Sequence, residues 1–169
     1  MTVRDVLRYP HPALKATARA LDDDADAALA RRVAEDLLDT MRSHPGCVGI
    51  AAPQLGELVR IVVVDVSEHP KATVDHGELV LVNPEVVRSS GAEVAREGCL
   101  SIPELTANVR RATEIAVHAR TPAGEPATIE TVGFEARCIL HELDHLDGIL
   151  FLDRVDSLST DVFRRKRYR

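Results

Sequence analysis

Two histidines and a glutamate in His141-Glu142-Leu143-Asp144-His145 have the residue types and spacing for metal-assisted hydrolysis. An α-helix turns about 100° and rises about 1.5 Å per residue. His141 and His145 then lie about 40° apart around the axis and roughly 6 Å apart along it. Two imidazoles so placed can grip one ion from one helix face, and Glu142 beside them can take a proton from a water. An amphipathic helix that carries two histidines by accident explains these five residues about equally well. Glu142 and Asp144 each stand about 80° from an ion placed midway between the histidines, so helical geometry leaves both open as the base. Glutamate has the longer reach.

A catalytic ion typically takes three protein ligands and keeps one position open. The helix offers two; Cys47, Cys99, Cys138, the other histidines and several carboxylates compete for the third. Cys138 falls within about 60° of both histidines around the axis but about 4.5 Å below His141, where three ligands from one straight helix meet an ion poorly. Cys99 stands between Gly98 and Leu100, in a segment that reads as irregular and can fold over the ion. Spacing permits it without selecting it.

The elements that must position these groups follow from the apolar pattern. Leu29, Val33, Leu37 and Met41 recur every four residues, which predicts a surface helix from about Asp26 to Ser43. Asp22, Asp23 and Asp24 offer caps and favourable charge at its start. Met1 to Ala20 reads as an extended arm, and Cys47 to Gly56 as a small-residue loop with one lone polar side chain, Gln54. The runs Leu58–Val66 and Leu79–Asn83 predict strands, the second ended by Pro84. Val86 to Val94 reads as a strand pair around Ser89-Ser90-Gly91, and Glu97 to Pro103 as irregular. Val109–Arg111, Glu114–Ala119 and Ala127–Val132 follow as short strands. Gly133 precedes the central helix, Gly148 fits its C′ position, and a short helix is expected from about Asp156. The fold class is α+β: short, largely antiparallel strands packed around a central metal-binding helix, with an N-terminal surface helix and a short C-terminal helix.

With 169 residues the chain reads as one domain, 1–169, large enough to fold without a structural metal, so an ion here is expected to be catalytic. Aromatic residues make up only 3%, leaving the core to Val, Leu, Ile and Ala. Net charge is −6, which excludes a chain-wide nucleic-acid surface. The basic tail, 157–169, is the exception: subtracting the five positive charges of its last seven residues leaves the remainder near −11. No signal-like or membrane-length apolar run appears, and three cysteines without framework spacing fit a reducing compartment, so a cytoplasmic protein is expected.

Three segments carry a family resemblance. Gly49-Ile-Ala-Ala-Pro-Gln54, Glu97-Gly-Cys-Leu-Ser101 and His141-Glu-Leu-Asp-His145, in that order and at these separations, resemble the motifs of peptide deformylase, and the likeness extends over nearly the whole chain. The resemblance implies removal of the N-formyl group from the starting methionine of nascent polypeptides. It implies Cys99, His141 and His145 as ligands of a divalent metal, ferrous iron in the cell and replaceable by zinc, nickel or cobalt. Glu142 becomes the general acid/base, and Gln54 with the Leu100 N–H the donors to the developing oxyanion. Val48, Gly49 and Gly98 fall where the family pairs its backbone with substrate. A metal-activated hydroxide would attack the formyl carbon while Glu142 moves the proton to the leaving amine.

Three positions depart from the family pattern: Cys47 replaces a glycine, Leu140 a glutamine, and Thr106 a longer polar side chain. The alternatives are a His-Glu-x-x-His metallopeptidase and an inactive ribosome-associated metal-binding module. The expected partners are N-formylmethionyl nascent peptides and, through the basic tail, the ribosome near its exit tunnel. No membrane partner is expected, and nothing in the sequence calls for more than a monomer.

Overall fold

The stripe of α1 (Ala27–Arg42) buries Val33, Leu37 and Met41 against one face of a sheet. The Asp22 carboxylate accepts from the N–H groups of Asp24 and Ala25, turning the chain into this helix. This is a computed structural model that describes residues 1–166; Arg167, Tyr168 and Arg169, the end of the expected basic tail, lie outside the described residues.

The remaining elements in order are β1 (Gly49–Ala51), β2 (Ile61–Val64), β3 (Leu79–Ser90), β4 (Glu93–Cys99), β5 (Ile102–Arg111), β6 (Glu114–Arg120), β7 (Pro126–Val132), α2 (Gly133–Leu146) and β8 (Val162–Arg164). Among the described residues, one sheet runs β1-β2-β3-β6-β7 and a smaller one β4-β5-β8, with antiparallel neighbours in both. The α+β class read from the sequence is the class observed.

Strand β2 explains the layering. Ile61 and Val63 point into the cluster with α1, whereas Val62 and Val64 join Ile115, Val117, Ala136, Ile139 and Leu143 on the α2 side. A strand covered on both faces reads as an unbroken apolar run instead of an alternating one. Helix α2 therefore lies against the sheet and is buried nearly all round. Gly148, at φ +69°, closes it, and a Cβ there would meet the Lys15 carbonyl oxygen at 2.5 Å.

Four expectations are corrected. Strand β3 continues through Pro84 to Ser90, because the missing N–H falls at a register shift between Val82 and Glu85, beside Asn83 at φ +50°. The strands flanking Ser89-Ser90-Gly91 do not pair with each other: β3 pairs with β6 as far as Ser90, and β4 starts the second sheet. Glu97 to Pro103 is no loose segment but the end of a hairpin, with Cys99 opposite Ile102 and Leu100-Ser101 at the turn. No helix forms after Asp156 among the described residues. Asp161 and Ser157 bond each other into a turn, and Val162 to Arg164 add to the open edge of β5 as β8.

Candidate active site

Helix α2 is a helix of charges in an apolar setting, and a buried charge without a partner is costly. Glu135 accepts from the His76 N–H at 2.7 Å, Arg137 donates to Glu97 at 2.7 Å, and Asp144 accepts from Arg111 at 2.7 Å. Glu142 breaks the pattern. Its side chain has no hydrogen-bond partner among the described residues, and Oε2 is fully buried. Burial pushes this carboxyl up to about 7. A buried carboxyl without a partner, facing a cleft, is a candidate for proton transfer.

The cleft, about 300 Å³, lies between α2 and the outer edges of β1 and β4, and Glu142, His141, Cys99 and Gln54 line it. The hairpin tip brings Cys99 to the two histidines. The Sγ of Cys99 and the ring nitrogens of His141 and His145 offer three ligand atoms all within 4.8 Å of one another, and the three residues are buried. Cys99 Sγ stands 3.4 Å from His145 Nε2. Ligand atoms bound to one tetrahedral ion at about 2.0–2.3 Å are roughly 3.5 Å apart, so the group fits a metal. A thiolate with two imidazoles suits iron or zinc better than magnesium or calcium. Neither Cys47 nor Cys138 joins this cluster, although both line the cleft. Burial raises both thiols, Cys47 to about 12, and Cys47 donates its S–H to the Gly49 carbonyl at 3.2 Å.

Orientation comes from residues that carried no role in the sequence reading. His141 Nδ1–H donates to Glu97 Oε1 at 2.7 Å, leaving Nε2 directed at the cluster. Glu97 also takes a two-pronged bond from Arg111 at 2.8 and 3.0 Å, plus the bond from Arg137. Burial opposes the Glu97 charge, yet the bonds from His141 and Arg111 outweigh it and hold the carboxyl down at about 2. Arg111, despite its own burial, is raised by Glu97 and Asp144. Burial lowers His145; it also opposes charge on His141, where the bonds to Cys99 and Glu97 win and raise it. A signal for this network was present: charged residues on every side of a buried helix require partners. Glu97 and Arg111 stand 33 to 44 residues from the α2 groups they bond and could not be named from α2.

The two candidate bases separate cleanly. Asp144 faces a second cavity behind α2 and is held by Arg111 and by both prongs of Arg154, at 3.1 and 2.8 Å. Glu142 faces the cleft. Leu140 also lines the rear cavity and packs against the main core, so that departure points away from the three ligands.

Gln54 sits in a 3-10 turn, Ala52–Leu55. Its Oε1 accepts from the Ala51 N–H at 2.9 Å, while Nε2 donates to Ser101 Oγ at 3.1 Å and approaches Cys99 Sγ at 3.5 Å. The amide is thus fixed with its N–H groups toward the cluster. The N-terminal arm ties both loops in place: Leu7 N–H donates to the Gln54 carbonyl at 2.7 Å and Tyr9 N–H to that of Ser101 at 2.9 Å. Gly49 lies on β1, an edge strand of its sheet, and Gly98 on β4, an edge strand of the other. Val48 and Leu100 complete the rim.

A family model described as polypeptide deformylase matches residues 3–161. A peptide deformylase of Syntrophobacter fumaroxidans is 35% identical over 166 residues, covering 98% of this chain and 94% of its own. One of Alkalilimnicola ehrlichii is 41% identical over 169 residues, covering 98% and 89%. Among solved structures, the peptide deformylase from Thermotoga maritima superimposes with a TM-score of 0.81 at 32% identity, over 93% of this chain and 100% of that one. The actinonin-bound class I type b enzyme from Acinetobacter baumannii gives 0.82 at 32%, over 92% and 100%.

Proposed function

This chain belongs to the polypeptide deformylase family, and on that basis we propose that Cys99, His141 and His145 hold its divalent metal while Glu142, Gln54 and the Leu100 N–H carry the chemistry beside it. The activity is removal of the N-formyl group from the N-terminal formylmethionine of nascent polypeptides, with release of formate. The observation that supports the site is the convergence of three buried ligand atoms within 4.8 Å at a cleft where Glu142 is, among the described residues, the one unpaired buried carboxyl. A divalent ion in that position supplies Lewis acidity and brings the pKa of a water toward neutrality.

The protein groups divide the remaining work. Glu142, raised to about 7, accepts the proton of the attacking water and passes it to the amine nitrogen as the C–N bond breaks. Gln54 Nε2–H and the Leu100 N–H donate to the formyl oxygen as it gains charge, each worth about 3 kcal/mol at the transition state. Peptide backbone extends along the free edges of β1 and β4, at Val48, Gly49 and Gly98. Val48, Phe134 and Cys138 give the methionine side chain an apolar wall.

The metal is ferrous iron, with zinc, nickel or cobalt able to replace it, since thiolate and imidazole ligands accept all four. The chain acts as a monomeric single domain, 1–169, in the cytoplasm; among the described residues no helix is long and apolar enough to cross a membrane. Its basic tail, 157–169, contacts the ribosome near the exit tunnel, where formylated chains emerge. Deleting Phe163 onward would also remove β8 and the ring beneath Arg96. Neutralising Arg164, Lys166, Arg167 and Arg169 is the cleaner perturbation: co-sedimentation with ribosomes weakens, and unchanged co-sedimentation removes the docking role.

The test of the activity is formate release from formyl-Met-Ala against unformylated Met-Ala, with protein loaded anaerobically with ferrous iron. Glu142→Gln abolishes nearly all turnover while retaining one ion per chain. A folded Glu142→Gln protein with full activity overturns its role, and a wild-type protein that releases no formate overturns the reading as a whole.

A further inference from the structure

Gly98 is covered by a side chain from the far end of the chain. A Cβ built on Gly98 would overlap Arg165 Nη2, and would stand 3.2 Å from Arg165 Cζ and 3.6 Å from Thr106 Cγ2. The guanidinium therefore rests on the bare Cα of Gly98, beside the short side chain of Thr106. The backbone fixes this placement: β8 pairs with β5 through Leu105 and Arg164, and the Arg165 N–H donates to the Glu104 carbonyl at 2.8 Å. Residue 165 is thereby held at the sheet edge with its head group lining the cleft.

Other arginines around it are engaged. Arg96 bonds Asn108 at 3.1 Å and Thr106 at 3.2 Å and lies over the Phe163 ring at 3.7 Å. Arg111 and Arg137 are bound to Glu97, and Arg110 to Asp156. Among the described residues the Arg165 guanidinium has neither a carboxylate nor a hydrogen-bond acceptor, and it is exposed. The acidic groups lining the cleft, Glu97 and Glu142, are buried at its floor, whereas Lys71, Arg96 and Arg165 form a cationic rim.

We propose that Arg165 is a specificity-determining residue, whose guanidinium receives the carboxylate of an acidic side chain at the second or third residue of the formylated peptide. This rests on the deformylase reading. Gly98 adjoins Cys99, and an extended peptide advances about 3.3 Å per residue. A chain whose formyl carbon lies at the three-ligand cluster thus brings the residues after methionine past Arg165. Guanidinium and carboxylate match in a planar, two-pronged geometry. Thr106 leaves the room that this geometry needs.

The test uses metal-loaded wild-type protein, Arg165→Lys, Arg165→Ala and Arg165→Glu. Substrates are amidated formyl-Met-Ala-Ala-Ala peptides carrying Glu or Lys at the second or third position. The wild type favours Glu over Lys at one of these positions by about tenfold in kcat/KM, expressed in KM. Arg165→Ala levels the two, Arg165→Lys keeps part of the preference, and Arg165→Glu reverses it toward Lys. High salt compresses the difference, as for a partly exposed pair. A wild type without acidic preference, or one whose preference survives in Arg165→Ala and Arg165→Glu, overturns the assignment and leaves the deformylase reading standing. Absence of formate from every peptide overturns both.

Discussion

Gly49→Ala isolates the placement of Glu142 in a single methyl group. A Cβ at Gly49 would lie 2.9 Å from Glu142 Oε1, 3.0 Å from Cγ and 3.2 Å from Cδ. Carbon contacts are comfortable at about 3.5–4.0 Å, so the carboxylate must retreat by roughly half an ångström or more. Among the described residues no hydrogen bond holds Glu142 against that push. A misplacement of about 1 Å at a reacting group costs on the order of a hundredfold, which sets the expected loss in kcat at about 10- to 100-fold. That is about 1.4–2.7 kcal/mol on the barrier. The three ligand side chains are not displaced, so the ion content stays at one per chain. Formate release measures the rate, metal analysis the content, and a double-mutant cycle with Glu142→Asp the coupling. The shorter acid makes room for the methyl group, so the combined loss is smaller than the product of the two. Full activity in Gly49→Ala, or multiplicative losses in the cycle, would refute the idea that Gly49 is the cradle of the carboxylate.

Two further outcomes follow from the charges. Glu97→Gln leaves the buried Arg111 and Arg137 short of their shared carboxylate and loosens His141. Urea unfolding should show about 3 kcal/mol lost, and metal titration a 10- to 100-fold weaker site, roughly; a change below about 1 kcal/mol with intact affinity would remove the network's role. Asp26 is held down to about 2 from 3.8, first by the Arg19 bond and then by the Asp22 N–H. Because the folded pKa is depressed, its contribution is complete above 3.8 and fades as pH falls through about 2. A carboxyl titration by NMR should show that midpoint, moving toward 3.8 in Arg19→Ala; a midpoint already at 3.8 in the wild type would dismiss the pair.

What the sequence determined by itself was local. The fourfold spacing of Leu29, Val33, Leu37 and Met41 implied α1, and the i, i+4 pair His141 and His145 put two imidazoles on one face of α2, because a helix repeats within a few residues. The β-branched run Leu58–Val66 announced a strand. Tertiary structure decided everything that required two distant segments to meet. The meeting of Cys99 with His141 and His145 depended on a hairpin end reaching α2 across 46 residues, and the orientation of Gln54 on a contact across 45. Glu142 and Asp144 were equivalent by helical angle. In the fold, Arg111 and Arg154 hold Asp144 on one side of α2, while Glu142 faces the cleft on the other. The expected C-terminal helix became β8 for a similar reason: the open hydrogen-bonding edge of β5 outbid a weak local preference. Periodicity is written in neighbouring residues, whereas the choice among chemically equal candidates is made by sheet register, which brings residues far apart in sequence into contact.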